Sequence, residues 1–248
     1  GIFKNFLVSD LSPFFMVARL FSVFFGVATV YLIYKISKNI FKSEIQAIFS
    51  ALFLASSFLH ISFSHWGRQW VYATFFFALI FYVLSLPNFP PKKKYFLAFL
   101  LAGIGMGINY QIGISIFFIA LWFFFYDKLP LTEYLKQKWL YKILGLFAAL
   151  SLFAIFLYPY PLYTYTGSLQ SQIITGQHWN LAGLLNIYKF DFSEMFKTEP
   201  IFLIFAVLGL VFSLLKNRGF FISAVCFSVV YLASFYFIFG TNEGRYLM

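Results

Sequence analysis

The chain has 248 residues, of which 62% are hydrophobic and 10% are charged, and its formal net charge is +10. Soluble domains carry about 25% charged residues, so this composition excludes an ordinary soluble protein and predicts a polytopic membrane protein. The single cysteine, Cys226, excludes a disulfide within the chain and a metal cluster built from cysteines.

Eight apolar segments follow one another along the chain, and each predicts a helix. Their ranges are 13–34, 43–63, 69–86, 96–109, 112–126, 139–159, 200–215 and 219–239. Together they predict an all-α fold, a bundle of transmembrane helices that crosses a cell membrane several times. The chain divides into a bundle core at 1–159, an aromatic loop at 160–199 and a second helical part at 200–248.

The fourth and fifth segments are shorter than the ~20 residues of a full crossing. Because both outer flanks of this pair are basic, we expect it to enter and leave the membrane on the same side. The physical interpretation is a helical hairpin whose tip is buried among other helices. Small residues allow close helix contact in such a hairpin. They are Gly103, Gly105, Gly107 and Gly113.

Lysine and arginine concentrate in alternate links between the segments. The basic links carry Lys35, Lys38, Lys42, Lys92, Lys93, Lys94, Lys128, Lys136, Lys138, Lys142, Lys216 and Arg218. The positive-inside rule places these links in the cytoplasm, and it places residues 1–12, 62–69, 160–199 and 240–245 outside. Because the positive charge lies in links rather than in one patch, we expect membrane lipids as partners and no nucleic acid.

The break between the second and third segments, SFSHWGRQW at 62–70, concentrates polar side chains at the predicted outer surface. Arg68 offers a planar fork of donors that suits phosphate oxygens, and His65 lies three residues away, on the same face of a helix. The alternative for both residues is an interfacial anchor formed with Trp66 and Trp70.

Three further charged residues are predicted at the outer side. Arg19, near the outer end of the first segment, either snorkels to the headgroup region or pairs with a lipid phosphate. Arg245 has the same two interpretations. Asp10 either caps the first helix or acts as a catalytic acid. No metal-ligand spacing, hydrolase triad or phosphate-cradling glycine loop is present, so we expect no metal and no cofactor.

The loop at 160–199 is too polar to cross a membrane and too aromatic for a plain linker. Its candidate substrate-contacting residues are Tyr163, Tyr165, His178 and Trp179. One interpretation is an interfacial aromatic belt. The other is a lid over a saccharide or a lipid headgroup, because ligand-covering loops are commonly long and surface-placed.

Several motifs together resemble the GT-C glycosyltransferases, which include dolichyl-phosphate-mannose protein mannosyltransferases and bacterial lipid A aminoarabinose transferases. The motifs are ARLFSVFFG at 18–26, YLIY at 31–34, SFSHWGR at 62–68, the glycine-rich hairpin at 102–113 and EGRY at 243–246. Their order and spacing extend the resemblance over nearly the whole chain. Trp70 stands where the family often has an acid, and His65 replaces the first arginine of the family's break.

The resemblance implies a membrane glycosyltransferase of cell envelope glycosylation. It would move a sugar from a polyprenyl-phosphate donor to a lipid, glycan or protein acceptor on the extracytoplasmic face. It also implies that Arg68, with Arg19, Arg245 and His65, contacts the donor phosphate. The family's catalytic acid lies on an early outer loop, so we expect that loop before Gly1 and an internal fragment that is inactive alone. The alternatives are a lipid or polysaccharide flippase and a structural membrane subunit.

Overall fold

The computed structural model describes residues 12–65, 69–127, 138–157, 193, 196–197 and 199–239. All regular structure within these residues is helical, without a strand, which confirms the predicted all-α fold. The chain divides into two compact units, unit 1 at Gly1–Asn88 and unit 2 at Phe89–Met248.

The helices follow the predicted apolar segments. In chain order they are α1 Ser12–Phe41, α2 Glu44–Ala55, α3 Phe58–His65, α4 Gln69–Ser85, α5 Pro91–Met106, a 3₁₀ turn at Tyr110–Ile114, α6 Ser115–Leu121, a π turn at Trp122–Tyr126, α7 Lys138–Leu157, α8 Pro200–Lys216 and α9 Arg218–Phe239. The largest differences from the expectation are in the first, second and fourth segments. The fourth forms a helix that begins five residues earlier than expected, at Pro91, and ends at Met106. The first segment extends to Phe41 because lysine is a good helix former, and the second segment is broken.

Length and composition identify candidate membrane spans among the described residues. Phe14–Phe41 is long and apolar enough to cross a membrane as one helix. The pair α2 and α3 passes the same test only as one span with a bend of 57°. The shorter apolar stretches, of 10–17 residues, are Trp70–Ser85, Ile112–Tyr126, Tyr141–Leu150 and Leu203–Lys216.

Two serines produce the bend between α2 and α3. The Ser56 hydroxyl donates to the carbonyl of Phe53 at 2.9 Å, and the Ser57 hydroxyl accepts from the amide of His60 at 3.2 Å. Ser57 therefore satisfies an amide at the start of α3, as an N-cap does, and α3 starts as a separate helix. A continuous helix over 43–63 was the expectation, and it is wrong at this point.

In unit 1, α1 packs against all three other helices. Ser22 contacts Tyr72 and Asn39 contacts Ser85, so α1 and α4 run parallel. Glu44 contacts Lys38 and Ser64 lies against Gly26, so the chain from α2 to α3 runs back along α1. These contacts define two ends of unit 1. At the link end α1 is followed by α2, and at the break end α3 ends at His65 and α4 begins at Gln69.

In unit 2, the predicted hairpin is formed by α5 and a returning arm made of the 3₁₀ turn, α6 and the π turn. Its tip is buried, since Ile112 and Ser115 are 0% exposed. The Met106 side chain lies 3.2 Å from the position of a Cβ on Gly113, so only a glycine fits there without displacement. The hairpin in the predicted fold is thereby confirmed, with the returning arm less regular than expected.

Two further helices pack on this hairpin. The rings of Phe99 and Phe147 lie 5.7 Å apart, and Gly103 faces Leu150, so α7 runs parallel to α5. On the other side, Ser223 of α9 donates to the carbonyl of Leu121 at 3.3 Å. The hairpin thus contacts α7 through α5 and α9 through its returning arm.

Candidate functional site

The break end of unit 1 carries a polar contact between α1 and α4. The hydroxyls of Ser22 and Tyr72 share a hydrogen bond of 3.1 Å, and Ser22 is 0% exposed. The Phe25 ring meets the Tyr72 ring edge-on with centroids 5.1 Å apart. A hydroxyl pair inside an apolar bundle is satisfied only if both partners stay in place, so it fixes how α1 and α4 align.

The same end carries a close contact between α1 and α3. The Nε2 atom of His60 lies 3.2 Å from the carbonyl oxygen of Gly26, which can only accept, so His60 donates there. Ser64, whose hydroxyl donates to the carbonyl of His60 at 2.7 Å, occupies the space where a Cβ on Gly26 would lie. Gly26 therefore permits α3 to approach the backbone of α1.

Arg19 stands on the face of α1 that makes these contacts. It precedes Ser22 by three residues and Gly26 by seven, which places all three within about 60° around the helix at 3.6 residues per turn. Arg19 is exposed, and the ion pairs found among the described residues do not include it. Its guanidinium is therefore a cation at the break end that an anion could approach.

His65 ends α3 at the same end of unit 1 and is also exposed. Its Nδ1 atom lies 2.8 Å from the carbonyl oxygen of Ile61, so the Nδ1 hydrogen is used within its own helix. In the neutral ring Nε2 is then an acceptor. His65 can donate to a phosphate only as imidazolium.

The structure places Arg19 and His65 toward the same end of unit 1. The other predicted site residues lie outside the described residues. They are Asp10, Arg68, Tyr163, Tyr165, His178, Trp179 and Arg245. The helices on either side of Arg68 end at His65 and begin at Gln69.

A second polar cluster, which the sequence analysis did not single out, lies at the base of the hairpin in unit 2. Lys94 and Asp127 form an ion pair of 3.3 Å, with side chains 10% and 15% exposed. The Tyr95 hydroxyl donates to the same carboxylate at 2.6 Å. The sequence signal for this cluster is the nearly equal length of the two predicted arms, because equal arms bring their outer residues together in a hairpin. The charges satisfy one another, so this cluster supports the fold.

Comparison with known proteins gives one match. A family model described as dolichyl-phosphate-mannose-protein mannosyltransferase matches residues 13–158, which is more than half of the chain. No curated protein and no solved structure matches significantly. The matched range includes both the break end of unit 1 and the hairpin of unit 2. The chain therefore belongs to the dolichyl-phosphate-mannose-protein mannosyltransferase family, and it is a membrane glycosyltransferase of the GT-C kind.

Proposed function

We propose that this multi-pass protein transfers a sugar from a polyprenyl-phosphate donor to a hydroxyl of a lipid, glycan or protein at the extracytoplasmic face of the cell membrane. The observation that carries the proposal is the position of Arg19, exposed at the break end of unit 1 on the face that contacts α3 and α4. A cation at the end of an apolar helix is suited to the phosphate of a lipid whose chain lies beside that helix.

The reaction is a direct displacement at the anomeric carbon. The acceptor oxygen forms the new bond, the bond from the anomeric carbon to the phosphate oxygen breaks, and a carboxylate takes the acceptor proton. Asp10 is a candidate for this carboxylate, and its alternative role is to cap the first helix. Arg68, with Arg19 and Arg245, stabilises the negative charge that grows on the departing polyprenyl phosphate.

The remaining predicted residues have supporting roles in this proposal. His65 adds a hydrogen-bond donor to the phosphate when its ring is protonated, since its Nδ1 hydrogen is already used. The loop residues Tyr163, Tyr165, His178 and Trp179 cover the sugar or the lipid headgroup. A lid of this kind excludes water and limits hydrolysis of the donor.

The test is sugar transfer in membranes that contain the intact protein. Polyprenyl-phosphate sugars labelled in the sugar, beginning with dolichyl-phosphate mannose, are supplied as donors. We expect Arg68→Ala to lower turnover about 100- to 1,000-fold, as loss of one donor to a developing anion does in other enzymes. Arg218→Ala, an exposed arginine at the start of α9, is the matched control.

Two results would overturn the proposal. One is full activity of Arg68→Ala at the wild-type level of membrane insertion. The other is a wild-type protein that releases no label from any polyprenyl-phosphate sugar but moves such lipids across the membrane, which would indicate a flippase.

A further inference from the structure

The link end of unit 1 carries a patch of cations and aromatic rings with no role in the proposed sugar transfer. We call it the lysine–tyrosine patch, and it consists of Tyr31, Tyr34, Lys35, Lys38 and Lys42. The Tyr31 and Tyr34 rings are stacked with centroids 6.4 Å apart. The ammonium of Lys35 lies 5.3 Å from the Tyr31 centroid and 5.7 Å from the Tyr34 centroid. Cation–π contacts at these distances hold Lys35 at the rings.

The patch continues an apolar stripe along α1. Leu20, Phe24, Val27 and Tyr31 recur every three or four residues, and each is between 57% and 66% exposed. The same spacing continues to Lys35, Lys38 and Lys42, so the lysines share the face of the stripe. Exposed apolar side chains on a helix of this kind contact lipid tails. The lysines therefore stand where the headgroups of those lipids lie.

Glu44, at the start of α2, forms an ion pair with one of the three lysines of the patch. Its carboxylate pairs with the Lys38 ammonium at 2.5 Å and accepts from the Tyr34 hydroxyl. Lys35 and Lys42 have no ion pair among the residues that the structure describes. Two cations thus remain available to an anion.

The backbone at Lys42 supports a role for its side chain. Lys42 follows α1 with a φ of 54°, a left-handed conformation that glycine or asparagine usually takes at a helix end. Its amide donates to the carbonyl of Lys38 at 3.0 Å, which closes the helix. A glycine at position 42 would adopt this conformation with less strain. The lysine instead adds an exposed ammonium to the patch.

We propose that the lysine–tyrosine patch binds the phosphate headgroup of an anionic phospholipid, with Lys35 and Lys42 as the contacting cations. The tails of this lipid lie along the apolar stripe of α1. Charge complementarity selects an anionic over a zwitterionic headgroup, because each lysine near a membrane surface adds to the attraction for anionic lipid. The proposal rests on α1 and α2 and is independent of sugar transfer.

The experiment is a lipid titration of the intact protein in detergent, followed by native mass spectrometry. Phosphatidylglycerol is compared with phosphatidylcholine of the same chain length. We expect the wild type to retain phosphatidylglycerol preferentially. The double variant Lys35→Gln/Lys42→Gln should lose about 30-fold in phosphatidylglycerol affinity, which corresponds to about 2 kcal/mol at 1.4 kcal/mol per tenfold.

The matched control is Lys92→Gln/Lys93→Gln, which removes the same charge from two exposed lysines at the start of α5. Its affinity should stay at the wild-type value. Equal loss in both double variants, or equal retention of the two lipids by the wild type, would overturn the proposal.

Glu44→Gln is the complementary variant, and it keeps every lysine. Because it releases Lys38, it should raise phosphatidylglycerol affinity several-fold and leave phosphatidylcholine unchanged. This variant decides the proposal even if the double lysine variant does not fold, as judged by its helical circular dichroism. Unchanged or lower phosphatidylglycerol affinity in Glu44→Gln would contradict the assignment.

Discussion

The hydroxyl of Tyr95 donates a hydrogen bond of 2.6 Å to the same Asp127 carboxylate oxygen that Lys94 approaches within 3.3 Å. Tyr95 lies at the start of α5, and Asp127 follows the π turn directly. The contact therefore joins the two arms of the hairpin at their base. It also makes the two charges dependent on each other, since both are largely shielded from solvent.

Removing one charge of this pair should destabilise the protein strongly. Asp127→Ala leaves the Lys94 ammonium without its partner, and breaking a buried pair in this way costs about 3–5 kcal/mol. The double variant Lys94→Met/Asp127→Leu, which removes both charges and keeps the volume, should recover most of the loss. Chemical denaturation of the purified protein measures both. Equal stability of Asp127→Ala and wild type would show that the pair does not support the hairpin.

A second prediction concerns the contact between α5 and α7. A Cβ on Gly103 would lie 2.9 Å from the Cβ of Leu150, which is closer than real side chains approach. Gly103→Ala should therefore separate these helices and cost about 1–3 kcal/mol of unfolding free energy. Gly145→Ala is the control, because a Cβ there meets nothing within 4 Å. The control should be neutral or stabilising by up to about 1 kcal/mol, as alanine favours helix.

Gly219 near the start of α9 should be still less tolerant of a side chain. A Cβ there would overlap the carbonyl oxygen of Phe125 and lie 3.2 Å from the Cα of Tyr126, both of which are backbone atoms of the π turn. Backbone atoms cannot move away by a change of rotamer, as a side chain can. We therefore expect Gly219→Ala to lower the free energy of unfolding by about 3 kcal/mol. Gly209→Ala, in open space on α8, should behave as wild type in the same denaturation experiment.

A fourth prediction tests the role of Arg19 in donor binding. Arg19→Gln should lower kcat/KM for the polyprenyl-phosphate sugar about tenfold or more, because a charge-assisted hydrogen bond to phosphate is lost. Arg19→Lys should retain an intermediate activity, since lysine keeps the charge without the planar fork. Identical kinetics of Arg19→Gln and wild type would instead assign Arg19 to interfacial anchoring.

The predicted orientation is testable with the single native cysteine removed. In a Cys226→Ser background, His65→Cys at the break end should react with a membrane-impermeant thiol reagent added to intact cells. Lys42→Cys at the link end should react only after the cells are opened. Both positions are exposed, so a difference in labelling reports the side of the membrane. Labelling of position 65 from the cytoplasm alone would remove the proposed extracytoplasmic site.

The sequence predicts the helices well because apolar runs bounded by polar links are strong signals in a membrane chain. The hairpin at 96–126 also follows from its short arms and basic flanks. The bend at Ser56 and Ser57 does not, because two small serines barely interrupt an apolar run. Their effect becomes visible only when the hydroxyl of Ser57 is seen to cap α3.

The candidate site is predictable to a smaller extent. The order of the segments predicts that Arg19 and His65 lie at one end, and their contact with a donor phosphate stays a prediction. The hydrogen bonds that build this end are not predictable from the sequence. They join residues far apart in the chain, since His60 and Gly26 are separated by 34 positions and Ser22 and Tyr72 by 50. Such pairings depend on which helix faces pack together, and periodicity alone does not specify that.

Because α1 is one unbroken helix, the cations near its two ends are held at a fixed separation. Arg19 and Lys35 are 16 positions apart, which corresponds to about 24 Å at 1.5 Å per residue, somewhat less than the ~30 Å of a hydrocarbon core. Long side chains that reach toward the interface cover the difference in a bilayer of ordinary thickness. In lipids with much longer acyl chains, one of the two charges would enter hydrocarbon unless the membrane thinned locally. We therefore expect the activity of this enzyme to fall in bilayers much thicker than about 30 Å.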